Sequence, residues 1–496
     1  MKRSLCFAFV RFTGVDMLNF YILPLVKNYI KLIHAEYCHQ SNGKNITNKQ
    51  KIWLAFSLSM MLLTNSINWN RFERFSLGSY KAKALSFMLH HANIPFELLF
   101  ECGLRVLFKL FQITEGHIVA DDTDHPRAKV TKTISFVFKS FNKKTGGYFN
   151  CQNLVFLVFV TNKITIPIGF KFYTPCPKIQ KWKKSDKDIR KFNRDLPKDC
   201  EIKKLKREKM PQRSDDHPSR MQIFRSLLSK FKKNFKDIQI LSCSFDAAYA
   251  SDENIRATEK LISNTLLISE LACSINVSDK RRTCSIEKYF KAVPTRKEEI
   301  LIRGFEKQEV EIKHARLYVP AHKRKLNIIA LRYQGEENFR FIFTPQLSYR
   351  PKDVVQIFTY RWLVEVFFFD WKCYEGFGQA AMQQNDAGSL CGVNMSLLLD
   401  QCLLTHPEQI RRIENNLPAC TVGSLREKIN IEQHLEHIRA LLLSENPSER
   451  IKTYAENIEQ CFIFRDSKKH MSGRTFPEFK PDPKLEKKFS QSPSSA

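Results

Sequence analysis

The sequence predicts a mixed α/β protein, helical at both ends and β-rich in the middle. Two patterns lead there. Apolar residues recur at helix spacing up to about residue 112, as in ILPLVKNYIKLIH and FELLFECGLRVLFKLF. From about residue 117 the spacing changes to short β-branched and aromatic runs with turn residues between them, and helix spacing returns after about 350. Size adds a third observation: 496 residues exceed what one core needs, so two or three domains are expected.

Each element follows in order. Residues 1–112 read as a helical N-terminal region. Within it, NWNRFERFSLGSYKAKAL mixes Arg71, Arg74, Lys81 and Lys83 with aromatics, which fits a DNA-contacting module or a solvated helix face. The N-terminal MKRSLCFAFVRF is interrupted by Arg11 and lacks a small-residue cleavage site, so it does not read as an export signal. The run LAFSLSMMLL is too short to span a bilayer, and no stretch reads as the roughly 18 apolar residues a span needs. HIVADD, TISFVFKSF, LVFLVFVT and ITIPIGFKFY read as consecutive strands. The Lys-rich 177–217 has few aliphatics and reads as a loop or mobile excursion. MQIFRSLLSKFKKNF is a helix, IQILSCSFD a strand and ENIRATEKLIS a helix. EILIRGF, EVEIKHARLYV, LNIIALRYQ and FRFIFTP alternate like antiparallel strands. Pro351 suits the first turn of the next helix. These readings divide the chain into 1–112, a core 113–265, a β-rich insertion 266–346, a second core part 347–390, a helical region 391–469 and a disordered Pro-, Ser- and Lys-rich tail 470–496.

Charge points to a partner. Lys and Arg number 80 against 51 Asp and Glu, a net +29, and the pI is near 9.6. Such a balance favours a polyanion, because phosphates are contacted by Lys and Arg. The 14 cysteines are scattered without a CxxC pair and His residues are not spaced around them as zinc ligands, which fits reduced thiols in a cytoplasmic protein.

Three acids stand out by position. Asp121 ends the strand-like HIVA, Asp246 ends IQILSCSF, and Glu365 lies in YRWLVEVFFFDWKCYEGFGQ. Carboxylates at strand ends project from the carboxyl edge of an α/β sheet, where such folds place their sites. Three of them gathered together would repel unless divalent cations lay between them, and Mg²⁺ prefers carboxylate oxygens. Two such metals about 3.5–4 Å apart activate a water and stabilise the leaving oxygen of a phosphodiester. Each acid by itself equally fits a helix cap or a strand-end loop. On one helix, at about 100° per residue, Arg361 lies about 40° and Lys372 about 20° from Glu365, so the three charges share a stripe while Trp362, Phe369 and Tyr374 point elsewhere.

Taken together, VADDT (119–123), FDAAYAS (245–251) and the Arg361, Glu365, Lys372 helix resemble the bacterial insertion-sequence transposases of the DDE type, in the cut-and-paste group with an all-β insertion. The resemblance covers about 115–440. It implies a ribonuclease-H-like core, with Asp121, Asp246 and Glu365 as catalytic metal ligands for Mg²⁺, Mn²⁺ substituting. Asp122 is the register alternative for the first acid. It further implies that Arg361 and Lys372 contact transposon-end DNA, that a homodimer pairs two ends and inserts them into target DNA, that excision runs through hairpins, and that the protein is bacterial and nucleoid-associated. The aromatic remainder of the helix would pack it to the sheet and the insertion. The signature's Tyr is Phe358 here, which removes a hydroxyl from the phosphate-facing stripe. A catalytically decayed, non-enzymatic DNA-binding protein is therefore the alternative expectation, and a nuclease of the same fold without strand transfer is a second.

Overall fold

The structure is a computed structural model that describes residues 21–462, except 44, 128–133, 143–144, 197–203, 280–281, 303–305 and 380–384, together with short pieces between 475 and 487. The N-terminal signal-like stretch and most of the tail 470–496 lie outside the described residues.

The described residues begin with five helices: α1 Pro24–Gln40, α2 Asn48–Thr64, α3 Trp69–Phe75, α4 Ala82–His91 and α5 Phe96–Leu110. Local chemistry sets their starts. Pro24 takes the first turn of α1, where a missing N–H costs nothing. Thr47 and Gln50 form a reciprocal capping box at α2. From Trp53 to Thr64, α2 is buried on all sides, so its amphipathic signal is weak although its apolar content is high. Trp69 and Phe72 of α3 pack on α2, with the Trp53 and Trp69 rings 5.7 Å apart.

A single twelve-stranded sheet follows. Strands β1 Glu115–Arg127, β2 Val137–Asn142, β3 Gly147–Val160 and β4 Thr165–Tyr173 pair antiparallel. After α6 Pro177–Asp195 and α7 Arg220–Asn234, β5 Gln239–Phe245 returns parallel to β1. Helix α8 Asp252–Leu261 leads to β6 Leu266–Leu271, parallel to β5. Next come β7 Asn276–Asp279, β8 Arg282–Ser285, α9 Ile286–Lys291, β9 Arg296–Ile302, β10 Glu306–Val319, β11 Arg324–Tyr333 and β12 Arg340–Thr344. β12 pairs antiparallel with β6, so the strand order runs β2-β3-β1-β5-β6-β12-β11-β10-β7-β8, with β4 on β3 and β9 on β10. The four strand readings before residue 174 and the four between 299 and 345 therefore find their strands. The segment read as an insertion, however, begins with a strand of the parallel core, and the remaining strands extend the same sheet.

The Lys-rich excursion is a correction. Residues 177–195 form α6, nineteen residues with Pro177 in the first turn. Lys and Arg are good helix formers, so a scarcity of aliphatics did not imply a loop. Asp186 accepts Arg207 Nε at 2.6 Å and Arg190 Nε at 2.7 Å, and the Trp182 indole N–H reaches the Glu208 carbonyl at 3.0 Å. The chain at 205–208 thus clasps a helix whose only buried side chains are Ile179 and Asp186.

Helices α10 Pro351–Phe358 and α11 Trp362–Cys373 are joined by a 3₁₀ turn, Thr359–Arg361, and α12 Asn385–Leu404, α13 Pro407–Glu414, α14 Val422–Leu442 and α15 Pro447–Cys461 close the fold. Helix α12 is long and apolar enough to cross a membrane, against the sequence reading that no stretch qualifies, but 83% of its most apolar window is buried inside the molecule. It is a central core helix on which described helices from both the N-terminal and C-terminal regions pack. Tyr29 donates to Gln401 Oε1 at 2.7 Å, Gln401 donates to the Phe100 carbonyl at 3.2 Å, and Arg426 donates to the Leu62 carbonyl at 2.8 Å. The helical regions read as separate from sequence therefore share one core.

Gly103 lets α5 approach this polar contact. A Cβ there would lie 1.8 Å from Gln401 Oε1 and 2.8 Å from the Tyr29 hydroxyl. Gly103→Ala is expected to displace a buried hydrogen-bonded pair and lower stability by about 2–3 kcal/mol. Thermal or denaturant unfolding checks this; a midpoint equal to that of the parent chain rejects the close approach.

Candidate active site

Parallel strands place residues of equal register side by side, about 4.8 Å apart. Ala120 pairs with Phe245 on β1 and β5, and Phe245 pairs with Ser269 on β5 and β6. The next residue on each strand is an acid: Asp121, Asp246 and Glu270. Asp246 keeps extended dihedrals, φ −68° and ψ 161°, before the chain turns into the 3₁₀ segment Ala247–Tyr249, whose first N–H its Oδ1 accepts at 2.7 Å. Glu270 was missed by sequence reasoning. Its signal was an acid inside the apolar strand LLISEL.

The alternation of β1 separates its two neighbouring acids. Asp121 shares a face with Phe156, its β3 partner, and Phe156 packs against Phe367, Phe368 and Trp371 of α11. Asp122 points the other way, where Asn153 donates to it at 2.8 Å, the Tyr249 hydroxyl at 3.2 Å, and Arg220 lies at 3.3 Å. Asp122 is thus held by donors from β3, α7 and the Asp246 turn, while Asp121 faces the helix that bears Glu365.

Arg361 closes this face. Its guanidinium lies 3.4 Å from Asp121 and 3.4 Å from Glu270, spanning the acids of the outer two parallel strands, and sits 5.7 Å from the centre of the Phe358 ring. Burial pushes the Asp121 carboxyl up to about 7; the Asp122 N–H and Arg361 oppose the rise, and the negative charges of Asp122 and Glu365 add to it. Asp121 and Glu365 therefore sense each other electrostatically. Glu365 itself is exposed on the first turn of α11.

Lys372 takes a different position from that expected. Its ammonium donates to Thr123 Oγ1 at 2.5 Å and to the Asp124 carbonyl at 3.0 Å, and burial pushes its pKa down. It fastens α11 to β1 instead of standing free for phosphate. Glu365 and Lys372 share the uninterrupted α11, whereas Arg361 belongs to the 3₁₀ turn Thr359–Arg361 that precedes it. Phe358 is buried with Val354, Val355, Leu266 and Ile268, so its ring fills a second apolar core below the site. The aromatic remainder of α11 divides in two. Phe367, Phe368 and Trp371 are core, whereas Trp362 and Phe369 are 56% and 57% exposed.

The donor set suits a hard divalent cation, being carboxylate oxygens only. A carboxyl whose charged form is penalised by burial is the kind of group a cation would relieve. Among the described residues, no group of three or more His, Cys, Asp or Glu stands close enough to hold an ion in the present side-chain positions. Arg361 is the cation that Asp121 meets here.

No protein-family model matches this chain, and no curated protein matches it in sequence.

Two outcomes follow from this geometry. Asp121 has its folded pKa raised above the ordinary 3.8, so its contribution to stability is full below about 4 and is lost as pH rises through about 7. Asp121→Asn is therefore expected to flatten the fall in melting temperature between pH 4 and 8 and to abolish any rise caused by Mg²⁺ at pH 8. A variant whose pH profile matches the parent excludes a buried, charge-penalised carboxyl. Lys372→Met is expected to lower stability by about 1–3 kcal/mol through loss of charged hydrogen bonds. The salt slope of DNA binding should stay unchanged, and a slope smaller by about one would assign Lys372 to a phosphate instead.

Proposed function

We propose that the protein is a DDE transposase that cuts DNA at the ends of its own insertion element and joins those ends to target DNA. The observation that carries this reading is the register that sets Asp121 beside Asp246 at the ends of parallel strands, with the Glu365 helix laid over Asp121. The strand sequence β4-β3-β1-β5-β6, three antiparallel strands continued by two parallel ones, supports a ribonuclease-H-like core. A net charge of +29 suits a polyanionic substrate.

In this reading Asp121, Asp246 and Glu365 hold Mg²⁺, with Mn²⁺ as a substitute. The metal would supply activation of water or a 3′-hydroxyl and stabilisation of the leaving oxygen. The remaining roles belong to the chain's own groups. Asp246 is set in place by its turn, and Tyr249, from the same turn, ties that turn to Asp122 beneath β1. Lys372 fixes α11 against β1, so that Glu365 is carried by a rigid element. Arg361 neutralises Asp121 and Glu270 in the protein alone and lies where a scissile phosphate beside Asp121 would meet a guanidinium. Pairing of two element ends by a homodimer and excision through hairpins belong to the same reading.

The alternative, a decayed transposase that only binds DNA, draws on the present side-chain arrangement, in which Arg361 occupies the carboxylate edge. One experiment separates them. Asp121→Asn, Asp246→Asn and Glu365→Gln are each expected to lower Mg²⁺-dependent cleavage of DNA carrying the element ends by more than about a hundredfold. End binding should stay within about threefold. Parent protein that binds the ends but never nicks them selects the decayed reading. Full cleavage by any one variant removes that residue from the site. Supplying a pre-cut end and a target plasmid then distinguishes strand transfer from simple nuclease action.

A further inference from the structure

The excursion between β4 and α7 leaves and rejoins the body at the edge of the sheet that carries the acids. Asp124, three residues past Asp121 on β1, lies opposite Asn153 of β3, and Asn153 lies opposite Tyr173, the last residue of β4. The chain therefore departs from the row of Asp124, two strands or about 10 Å from β1. It returns to the same place. His217 meets the Thr174 hydroxyl at 3.0 Å, and Arg220 lies 3.3 Å from Asp122 and 4.6 Å from the centre of the Tyr173 ring. Helix α6, within this excursion, has two distinct faces. At about 100° per residue, Lys183, Lys191 and Arg194 lie within about 40° of Lys187, and all four are exposed. The acids Asp186, Asp188 and Asp195 stand about 80–100° to either side. The other face is fastened to the chain at 205–208. Besides the contacts of Asp186 and Trp182, Asn193 donates to the Leu205 carbonyl at 2.9 Å and accepts from the Leu205 N–H at 2.8 Å. Among the described residues, Lys183, Lys187 and Lys191 form no ion pair, whereas Arg190 and Arg194 pair with Asp186 and Asp195.

We propose that α6 is a sequence-independent clamp on the phosphate backbone of duplex DNA that runs past the acid row. The clamp deepens the proposed function and rests on its reading that a phosphodiester is cut beside Asp121. Three observations select this occupant. The stripe offers unpaired ammonium groups and no apolar side chain within about 60° of Lys187, so it suits a hydrated polyanion and not the interior of a bilayer. Lysines four residues apart rise about 6 Å along the helix, near the roughly 7 Å that two nucleotides of one strand occupy along a duplex axis, so the row of charges can follow a strand. The excursion begins and ends beside Asp122 and Asp124, where DNA seated at Asp121 passes. Fastening from behind serves the same end. A helix with only Ile179 and Asp186 buried is held in shape by the 205–208 clasp before DNA arrives, so less freedom is lost on binding. Contacts from Lys and Arg to phosphates position a protein but carry no sequence information. Helix α6 therefore grips flanking or target DNA as firmly as an element end, which separates it from any surface that reads the end sequence.

Fluorescence anisotropy of labelled duplexes, titrated with the full chain at several salt concentrations and without divalent metal, tests it. One duplex carries an element end and the other a shuffled sequence of equal length. The triple variant K183Q/K187Q/K191Q is expected to reduce the salt slope by about two to three and to weaken binding by about tenfold or more, equally on both duplexes. Lys187→Gln alone should reduce the slope by about one. Melting temperatures should match the parent, because these positions are exposed. The control K233Q/K236Q/K260Q removes the same charge from exposed positions beside the amino ends of β5 and β6, at the opposite edge of the sheet. It should change the slope by less than about one. Equal losses from the two triple variants overturn the clamp and leave the cleavage reading standing. A loss confined to the element-end duplex overturns its independence of sequence, and a loss seen only with duplex RNA overturns its assignment to DNA. A parent that binds both duplexes but never nicks them leaves the clamp in place and counts only against cleavage.

Discussion

The candidate site depends on one constraint, the parallel register of β1, β5 and β6. Ladder hydrogen bonds determine which residues of neighbouring strands lie abreast, and here Ala120, Phe245 and Ser269 share a row. The row beyond them carries Asp121, Asp246 and Glu270. A slip of one residue in β1 would turn Asp121 to the other face and bring Asp122 into its place. Packing on both faces of the sheet resists that slip. Val119 and Ala120 are fully buried, and Phe245 packs on Phe224 of α7.

Setting acids side by side at a half-buried strand edge is electrostatically costly, and the surrounding structure shows how the cost is met. Arg361 bridges two of the three, while Asp121 is biased towards its neutral form by burial. The helix that carries Arg361 and Glu365 is held at both ends. At its start, Phe358 is sunk in the second apolar core. Along its length, Lys372 bonds to β1, and just past it Asn65 of the N-terminal region donates to the Cys373 carbonyl at 2.7 Å and accepts from the Gly376 N–H at 3.1 Å. The helical body is therefore a brace for α11. This gives the N-terminal region a structural task beside any contact with DNA.

Much of the fold was legible because periodicity is a local property. Strands such as LVFLVFVT and IQILSCSF and helices such as FELLFECGLRVLFKL show their type within a few turns of chain. The failures have physical causes. Helix α6 was read as a loop because it is polar almost all round and is stabilised by Asp186 with Arg190 and Arg207, contacts that composition does not display. The boundary of the β-rich insertion was set at the first residue of β6 because a short apolar strand looks the same whether its neighbour runs parallel or antiparallel. Glu270 escaped notice because an acid in a strand becomes meaningful only once its neighbours in register are known. The contacts of Lys372 with β1 were not legible because helical angles place it near Glu365 but say nothing about what lies opposite.

The sequence by itself determined the fold class, the type of many helices and strands, the strong positive charge and the identity of the three acids worth examining, since each follows from residue type and spacing. Tertiary structure alone decided which of Asp121 and Asp122 faces the Glu365 helix, that Glu270 joins the row, that Lys372 bonds inward, and that α12 is a core helix enclosed by the helical regions on either side of the sheet in sequence. Those outcomes depend on strand register and on contacts between residues hundreds of positions apart. Neither is encoded in any local window.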